Sequence, residues 1–156
     1  MKTIDDILNR LTETDMDAMI VRPATNKDID RCNKDFTESG LKVTLPDEYV
    51  KFLKKLNGFA WNGIELYSTD QVTDPETNFT LNDIVSANEQ FLKYNEGFEH
   101  CFYFGRVDDD LYVYNTTKEN KRWEVLDLVG RDVMEEYDTF EELFAGEVGK
   151  GIQHEN

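Results

Sequence analysis

The segment from residue 45 to residue 58 carries a full set of helix signals, and it constrains the fold more than any other part of the chain. Pro46 stands where a helix needs no backbone donor, and two carboxylates follow it at the positive end of the helix dipole. Gly58 can adopt the left-handed conformation that ends a helix. Between them, four apolar residues at helical spacing form a single stripe: Tyr49, Phe52, Leu53 and Leu56. The segment therefore predicts an amphipathic helix that buries one face.

Aromatic residues are concentrated behind this helix, since sixteen of the nineteen follow residue 57. Aromatic and β-branched residues favour strands. Asn62-Gly63 separates two short apolar runs and is a preferred pair for a two-residue hairpin turn. Residues 101–107, 111–115 and 122–129 predict three further strands in a meander. Residues 68–79 predict a polar surface loop.

Helix-capping residues predict four more helices, after Thr3, Thr25, Thr80 and Thr139, with Gly146 ending the last one early. The order of elements predicts an α+β fold. A twisted, mostly antiparallel sheet is packed against N-terminal helices and a short C-terminal helix. A chain of 156 residues has room for one core. We expect one domain over residues 1–147 and a flexible tail over residues 148–156.

The charge of the chain is negative and unevenly distributed. The formal net charge is −16, and residues 58–156 hold seven basic and twenty-two acidic side chains. Such a chain repels nucleic-acid phosphates and anionic lipids, so we expect no direct binding to nucleic acid or membranes. The start of the chain has neither a secretory signal nor a long apolar run, which indicates a cytoplasmic protein. Cys32 and Cys101 are then expected to be reduced and buried.

The sequence contains no compact catalytic or metal-binding motif. Its histidines are His100 and His154, and His100 precedes Cys101 on a predicted strand, where neighbouring side chains point to opposite faces. Cys-x-x-Cys, His-Glu-x-x-His and glycine-rich phosphate motifs are missing from the sequence. We therefore expect no catalytic residues, cofactor or metal. Paired carboxylates stay open as an enzymatic possibility, because thirty-three acidic residues offer many pairs.

Residues 45–59 resemble the SMI1/KNR4 superfamily, also called SUKH, whose members carry a Leu-Pro-x-x-Tyr-x-x-Phe-Leu helix followed by Asn-Gly and a hydrophobic strand pair. The resemblance spans residues 41–146 and includes a second strand at residues 64–68 and a closing helix at residues 139–144. The tryptophan-bearing hairpin and the segment after Thr80 are most similar to the YrhA-type branch. The resemblance implies an α+β fold and brings no catalytic residues.

The resemblance also implies a non-catalytic protein-binding module. Many bacterial members are immunity proteins that bind and neutralise a toxin, often a nuclease. Because a nuclease presents a basic cleft to its substrate, an acidic surface is suited to block it. The expected partner is therefore a basic toxin domain. From the polar loop, the turn before residue 111 and the strand after it, we predict these contact residues: Asp70, Asp74, Glu76, Asp108, Asp109, Asp110, Tyr112 and Tyr114.

Two other functions fit the same sequence. Some members of the superfamily act as regulatory interaction modules, so the chain could be a scaffold without a toxin partner. A small hydrolase that uses two carboxylates is the enzymatic alternative. An enzyme is expected to hold a desolvated carboxylate in a deep pocket, whereas a binding protein is expected to expose its acids on a broad face. The acidic surplus also serves solubility.

Overall fold

The computed structural model describes residues 3–13 and 18–154. Five helices lie in these residues: α1 Ile4–Glu13, α2 Asn26–Glu38, α3 Asp47–Leu53, α4 Ile84–Tyr94 and α5 Phe140–His154. Nine strands lie there too: β1 Met19–Ile20, β2 Phe59–Trp61, β3 Ile64–Leu66, β4 Val72–Thr73, β5 Thr80–Leu81, β6 Cys101–Val107, β7 Asp110–Asn115, β8 Trp123–Asp127 and β9 Val133–Tyr137.

Seven of the strands form one antiparallel sheet in the order β1-β2-β3-β6-β7-β8-β9, and β4 pairs with β5 in a separate hairpin. This confirms the predicted α+β fold. The register pairs Ile64 with Val107, Val107 with Asp110, and Asp110 with Asp127. The turns β2–β3, β6–β7 and β8–β9 therefore lie at the same end of the sheet, which we call the turn end.

Helices α3 and α5 cover one face of the sheet with a cluster of aromatic rings. Tyr49 of α3 lies at the centre, with ring centroids 5.4–5.6 Å from four neighbours. Its buried hydroxyl donates a hydrogen bond to the carbonyl of Tyr67, 2.5 Å away. Edge-to-face and tilted contacts of this kind add stability beyond area burial. We call this cluster the aromatic core: Tyr49, Phe52, Phe102, Phe104, Trp123, Phe140 and Phe144.

Helix α4 covers the other face through a buried asparagine. Asn88 accepts a hydrogen bond from the backbone N–H of Tyr103 at 2.9 Å and donates one to its carbonyl at 2.8 Å. Strand β3 ends at Leu66, which pairs with Gly105, so it does not reach Tyr103. Asn88 thus satisfies the backbone of β6 where the neighbouring strand has ended.

A β-bulge interrupts β6 at Phe104. Tyr103 pairs with Val113, but Gly105 already pairs with Tyr112, so Phe104 is an extra residue. The residue after the bulge has little room, because a Cβ on Gly105 would lie 2.3 Å from the carbonyl oxygen of Glu65. Bulges change the alternation of side chains between the faces of a sheet. Arg106 consequently shares its face with Tyr103 and α4.

Helix α3 forms from the predicted apolar stripe but ends sooner than predicted. The helix ends at Leu53, and turns carry the chain on to Gly58. Gly58 has φ +107°, and a Cβ there would lie 2.6 Å from Leu81 and 2.9 Å from Ser68, so both the backbone and the packing require glycine. Asn57 is buried, and its side chain bonds the backbone N–H and the hydroxyl of Thr69. Asn57 and Gly58 are therefore selected by close packing against the chain after β3.

The β2–β3 hairpin agrees with its sequence signal. Asn62 and Gly63 form its two-residue turn with φ of +50° and +83°. The predicted meander is confirmed as β6, β7 and β8. Strands β1 and β9, at the two edges of the sheet, were not predicted, and the predicted loop at residues 68–79 contains β4. The two cysteines are buried and unpaired.

Helix α5 is longer than the predicted closing helix. Gly146 does not end it, and residues 148–154, expected in a flexible tail, belong to the helix. Val148 and Ile152 are buried. The glycines allow close packing instead: a Cβ on Gly146 would lie 2.6 Å from the hydroxyl oxygen of Tyr137, whereas one on Gly149 would meet nothing within 4 Å.

Asn88→Ala tests the link between α4 and β6. The substitution leaves the N–H and carbonyl of Tyr103 buried without their partner, and we expect the free energy of unfolding to fall by about 2–4 kcal/mol. Urea denaturation at pH 7 measures the loss. Glu89→Ala, at an exposed position of the same helix, is the control and should change stability by less than about 0.5 kcal/mol. Equal effects of the two variants would contradict the assignment.

The glycines of α5 give a second test. Gly149→Ala adds a methyl group in open space and should stabilise the protein by about 0.5–1 kcal/mol. Gly146→Ala forces Tyr137 or the helix to move and should destabilise it by about 1–3 kcal/mol. Thermal unfolding of both variants measures the difference. A helix that ended at Gly146 would leave Gly149→Ala without effect.

Candidate partner-binding surface

Carboxylates from several turns meet at the turn end of the sheet. Asp108 and Asp109 form the exposed β6–β7 turn, with Asp108 at φ +44°. The carbonyl of Asp108 accepts a hydrogen bond from Arg106 at 3.0 Å. Asp110 follows on β7 and pairs with Asp127 at the end of β8. The fold thus brings four carboxylates from two segments onto one small area.

These carboxylates repel one another. The pKa of Asp110 is raised, first by burial and then by the negative charges of Asp127, Asp109 and Glu135. Like charges at such short distances lower the stability of the free protein, and a cationic partner would reduce their repulsion. The arrangement therefore favours binding of positive charge.

A cleft of about 380 Å³ lies beside this area, between the β2–β3 hairpin and the β4–β5 hairpin. Glu65, Asp74 and Glu76 contribute carboxylates to its wall. Burial raises the pKa of Glu65, while Arg106, opposite it on β6, acts in the other direction. Trp61 lines the cleft, as do Met19, Ile64 and the 38% exposed side chain of Phe79. The cleft combines negative charge with exposed apolar area.

Gly63 joins the cleft to the Asp108 turn. It lines the cleft, and a Cβ on it would lie 3.5 Å from Oδ1 of Asp108. The two groups of carboxylates meet only at this turn, because strand alternation places Asp110 and Asp127 on the Tyr112 side of the sheet and Glu65 on the Arg106 side. We call their union the acidic surface: Glu65, Asp74, Glu76, Asp108, Asp109, Asp110 and Asp127.

The structure brings together five of the eight residues predicted from sequence and separates the other three. Asp70 lies away from the acidic surface, where its carboxylate accepts a hydrogen bond from Arg31 of α2 at 2.7 Å. This ion pair neutralises Asp70. The two tyrosines predicted as contact residues lie elsewhere.

Tyr112 is fully buried, its ring stacks 5.9 Å from that of Phe104, and burial raises its pKa. It is part of the interior, so its ring is not accessible to a partner in this structure. Tyr114 is half-buried, at the far end of β7 from Asp110, and its hydroxyl accepts a hydrogen bond from Arg122 at 2.7 Å. Neither ring lines the cleft. The exposed aromatic residue at the cleft is Phe79, in the predicted loop.

Sequence reasoning missed Glu65 and Asp127 because each lies in a short strand between apolar residues. Their position depends on the register of the sheet, which places Glu65 opposite Arg106 and Asp127 opposite Asp110. The Asn62-Gly63 turn signal was sufficient to place Glu65 near a hairpin turn, but no local signal places that turn beside Asp108.

A polar network fastens α5 beneath the turn end. Glu147 of α5 accepts hydrogen bonds from the hydroxyls of Tyr112 and Tyr137, both at 3.2 Å. Lys150 bridges Glu135 at 2.7 Å and Glu147 at 3.1 Å. Burial raises the pKa of Glu147, whereas the hydrogen bonds from Lys150 and Tyr137 lower that of Glu135. Ionisation of Glu147 therefore costs stability, whereas ionisation of Glu135 is favoured by its partners.

The described residues show neither a metal site nor a membrane span. Over residues 3–13 and 18–154, the His, Cys, Asp and Glu side chains form no group of three or more placed to hold a metal ion. None of the helices in this part of the chain combines the length and apolarity needed to cross a membrane.

The architecture and the surface define an α+β protein whose antiparallel sheet has helices on both faces and a cluster of carboxylates at one end. The chain belongs to the SMI1/KNR4 family (SUKH-1), because the sequence profile of that family matches residues 23–146. The match confirms the resemblance seen over residues 41–146, while placement in the YrhA-type branch stays a prediction. No curated protein was found to match the chain.

The pKa values of Glu147 on α5 and Glu135 on β9 shift in opposite directions, so neutralising each one should have opposite effects on stability. Because the pKa of Glu147 is raised, its contribution to stability is present below about pH 4.5 and is lost as pH rises. Glu147→Gln should therefore gain in melting temperature over wild type by a few degrees at pH 7. The pKa of Glu135 is lowered, so its contribution is present at neutral pH and is lost on acidification. Glu135→Gln should melt lower than wild type at pH 7 and approach it near pH 3.

Melting curves of both variants from pH 3 to pH 8 measure these effects. Glu89→Gln, at an exposed position of α4, controls for the loss of one negative charge. Two variants that shift in the same direction at pH 7 would contradict the assignment of the pair.

Proposed function

We propose that this protein is an immunity protein that binds a cognate toxin through its acidic surface and so neutralises it. One observation carries the proposal: carboxylates from four separate segments of a SUKH-1 family chain lie around the turn end of the sheet. The segments are β3, the β4–β5 hairpin, the β6–β7 turn and the end of β8. A nuclease is the favoured toxin, because it must present a basic cleft to a polyanionic substrate.

Charge complementarity raises the rate of association with the toxin. Steering by opposite charges raises association rate constants to about 10⁸–10⁹ M⁻¹s⁻¹ at low salt, against about 10⁵–10⁶ M⁻¹s⁻¹ for neutral surfaces. Asp108 and Asp109 are exposed at the tip of a turn and are placed to act first. A protein that must intercept a toxin before it acts benefits most from the rate of capture.

The cleft provides the apolar contacts on which affinity for the toxin depends. Exposed charges contribute little affinity because salt screens them, and tight interfaces depend on a few well-buried apolar contacts. Phe79 and Met19 give the cleft apolar walls, and Glu65 places a partly buried carboxylate among them. A lysine or arginine of the toxin can lay its methylene groups along these walls and its charge against Glu65. The acidic surface thus combines a steering part with an anchoring part.

One observation favours a second function, a small hydrolase. Glu65 is a desolvated carboxylate in a cleft that also holds Asp74 and Glu76, as a carboxylate-dependent enzyme requires. Glu65→Gln separates the two: an enzyme loses turnover of a small substrate, whereas an immunity protein loses toxin affinity and turns nothing over. A regulatory scaffold would use the same surface on a cellular partner. The neighbouring coding sequence distinguishes it, since an immunity protein is expected beside its toxin.

Reversal of charge at the β6–β7 turn tests toxin capture. The probe is the protein encoded next to this chain, first shown to co-purify with it and to arrest growth in its absence. Asp108→Lys combined with Asp109→Lys should slow association at low salt by about tenfold or more and flatten its salt dependence. Stopped-flow measurements at several salt concentrations provide the rates.

The control is Asp30→Lys combined with Glu38→Lys, which makes the same change in net charge at exposed positions of α2. It should change the association rate by less than about threefold, because distant exposed charges are screened. Equal slowing in both double variants would assign capture to net charge and not to this surface. Unchanged kinetics in the Asp108 and Asp109 variant would remove the turn from the mechanism.

A further inference from the structure

A second cavity lies on the α4 face of the sheet and differs in character from the acidic surface. Its volume is about 260 Å³, and it is bounded by α4 and by strands β6 and β7. Phe91, Leu111 and Leu128 give it apolar walls. Its polar lining includes the side chains of Tyr67, Tyr103, Arg106 and Arg131. Pockets with apolar walls and a few convergent polar groups are typical ligand sites.

Two buried tyrosine hydroxyls in this cavity leave one proton without a protein acceptor. Tyr67 and Tyr103 are only 6% and 8% exposed, and their hydroxyl oxygens are 2.9 Å apart. Two hydroxyls carry two protons, but this single contact is the only hydrogen bond of either hydroxyl within residues 3–13 and 18–154. Burial raises the pKa of both phenols, so both stay protonated at neutral pH. The second proton is available to an acceptor in the cavity.

Two guanidinium groups make the same place positive. The charges of Arg106 and Arg131 both act on the Tyr103 hydroxyl, where they lower its pKa against the larger effect of burial. Arg131 is held by a hydrogen bond from its Nε to Oδ1 of Asn95, and Arg106 by its bond to the Asp108 carbonyl. In the described part of the chain, each guanidinium uses one of its five N–H donors in these bonds. The remaining donors and the phenol proton match an oxyanion.

The charge balance and the size of the cavity define the ligand. Glu65 opposes the two arginines, since its charge also acts on both phenols. Two positive charges against one leave a surplus of one, which suits a singly charged anion better than a doubly charged phosphate. A cavity of about 260 Å³ is smaller than those that hold drug-sized ligands, which measure about 300–1,000 Å³. The planar carboxylate group also fits the fork of a guanidinium.

We propose that this cavity binds a small monocarboxylate whose oxygens accept hydrogen bonds from the Tyr67–Tyr103 pair and from Arg106 and Arg131. The apolar body of the ligand lies against Phe91 and Leu111. The site differs from the proposed toxin-binding surface in the charge that it takes, although Glu65, which lines the acidic cleft, also acts on its two phenols.

Titration of the full chain with benzoate tests the site. Amide chemical shifts in ¹H–¹⁵N spectra should change saturably at residues that line the cavity, with benzamide, a neutral analogue, binding at least about tenfold more weakly. Tyr103→Phe and Arg106→Gln should each weaken benzoate binding by about tenfold. Glu65→Gln removes the opposing charge and should tighten it. Lys34→Gln, which removes an exposed positive charge on α2, is the control and should bind benzoate as wild type does.

Several outcomes would overturn the proposal. Shifts that do not saturate, equal binding of benzoate and benzamide, or wild-type binding by both Tyr103→Phe and Arg106→Gln would each do so. Spectra of the free variants establish that they are folded, so a lost signal is not mistaken for lost structure. A parallel titration with acetyl-glutamate amide identifies the source of the carboxylate. Tighter binding of benzoate supports a free organic acid, and tighter binding of the glutamate derivative supports an acidic side chain of a protein.

Discussion

The packing of this fold depends on the hydrogen bond from the buried Tyr49 hydroxyl of α3 to the carbonyl of Tyr67, the residue that follows β3. It joins α3 to the chain where β3 leaves the sheet. Beside it, Glu48 accepts hydrogen bonds from the indole of Trp123 at 2.9 Å and from the N–H of Phe140 at 3.1 Å. A seven-residue helix is too short to be stable alone. These contacts make it the junction of the sheet and α5.

Local signals in the sequence were sufficient for much of this fold. The stripe of α3, the Thr25 helix cap and the Asn62-Gly63 hairpin depend on residues close together in the chain, and the structure shows all three. The edge strands and the bulge at Phe104 depend on partners far away in sequence. The site follows the same rule: Asp108 and Asp109 are on a surface turn as predicted, but α5 buries Tyr112 through a contact that strand periodicity does not show.

The surface combines two opposite electrostatic environments only one strand apart. The side chains of Glu65 and Arg106 are cross-strand neighbours on the same face, yet Glu65 lines the acidic cleft and Arg106 lines the cavity under α4. Each moderates the other, as the pKa of Glu65 shows. A net charge of −16 therefore describes the molecule poorly at short range.

The bulge in β6 decides where one cation points. If β6 kept all its residues and alternated strictly through Phe104, Arg106 would lie on the side of Phe102 and Phe104, and a guanidinium would enter the aromatic core. Burial of an unpaired charge there would cost far more than the bulge does. A β6 that kept every residue but paired without the bulge would therefore exchange inside for outside from Gly105 up to the Asp108 turn. The irregularity serves as a switch of side-chain polarity halfway along a strand.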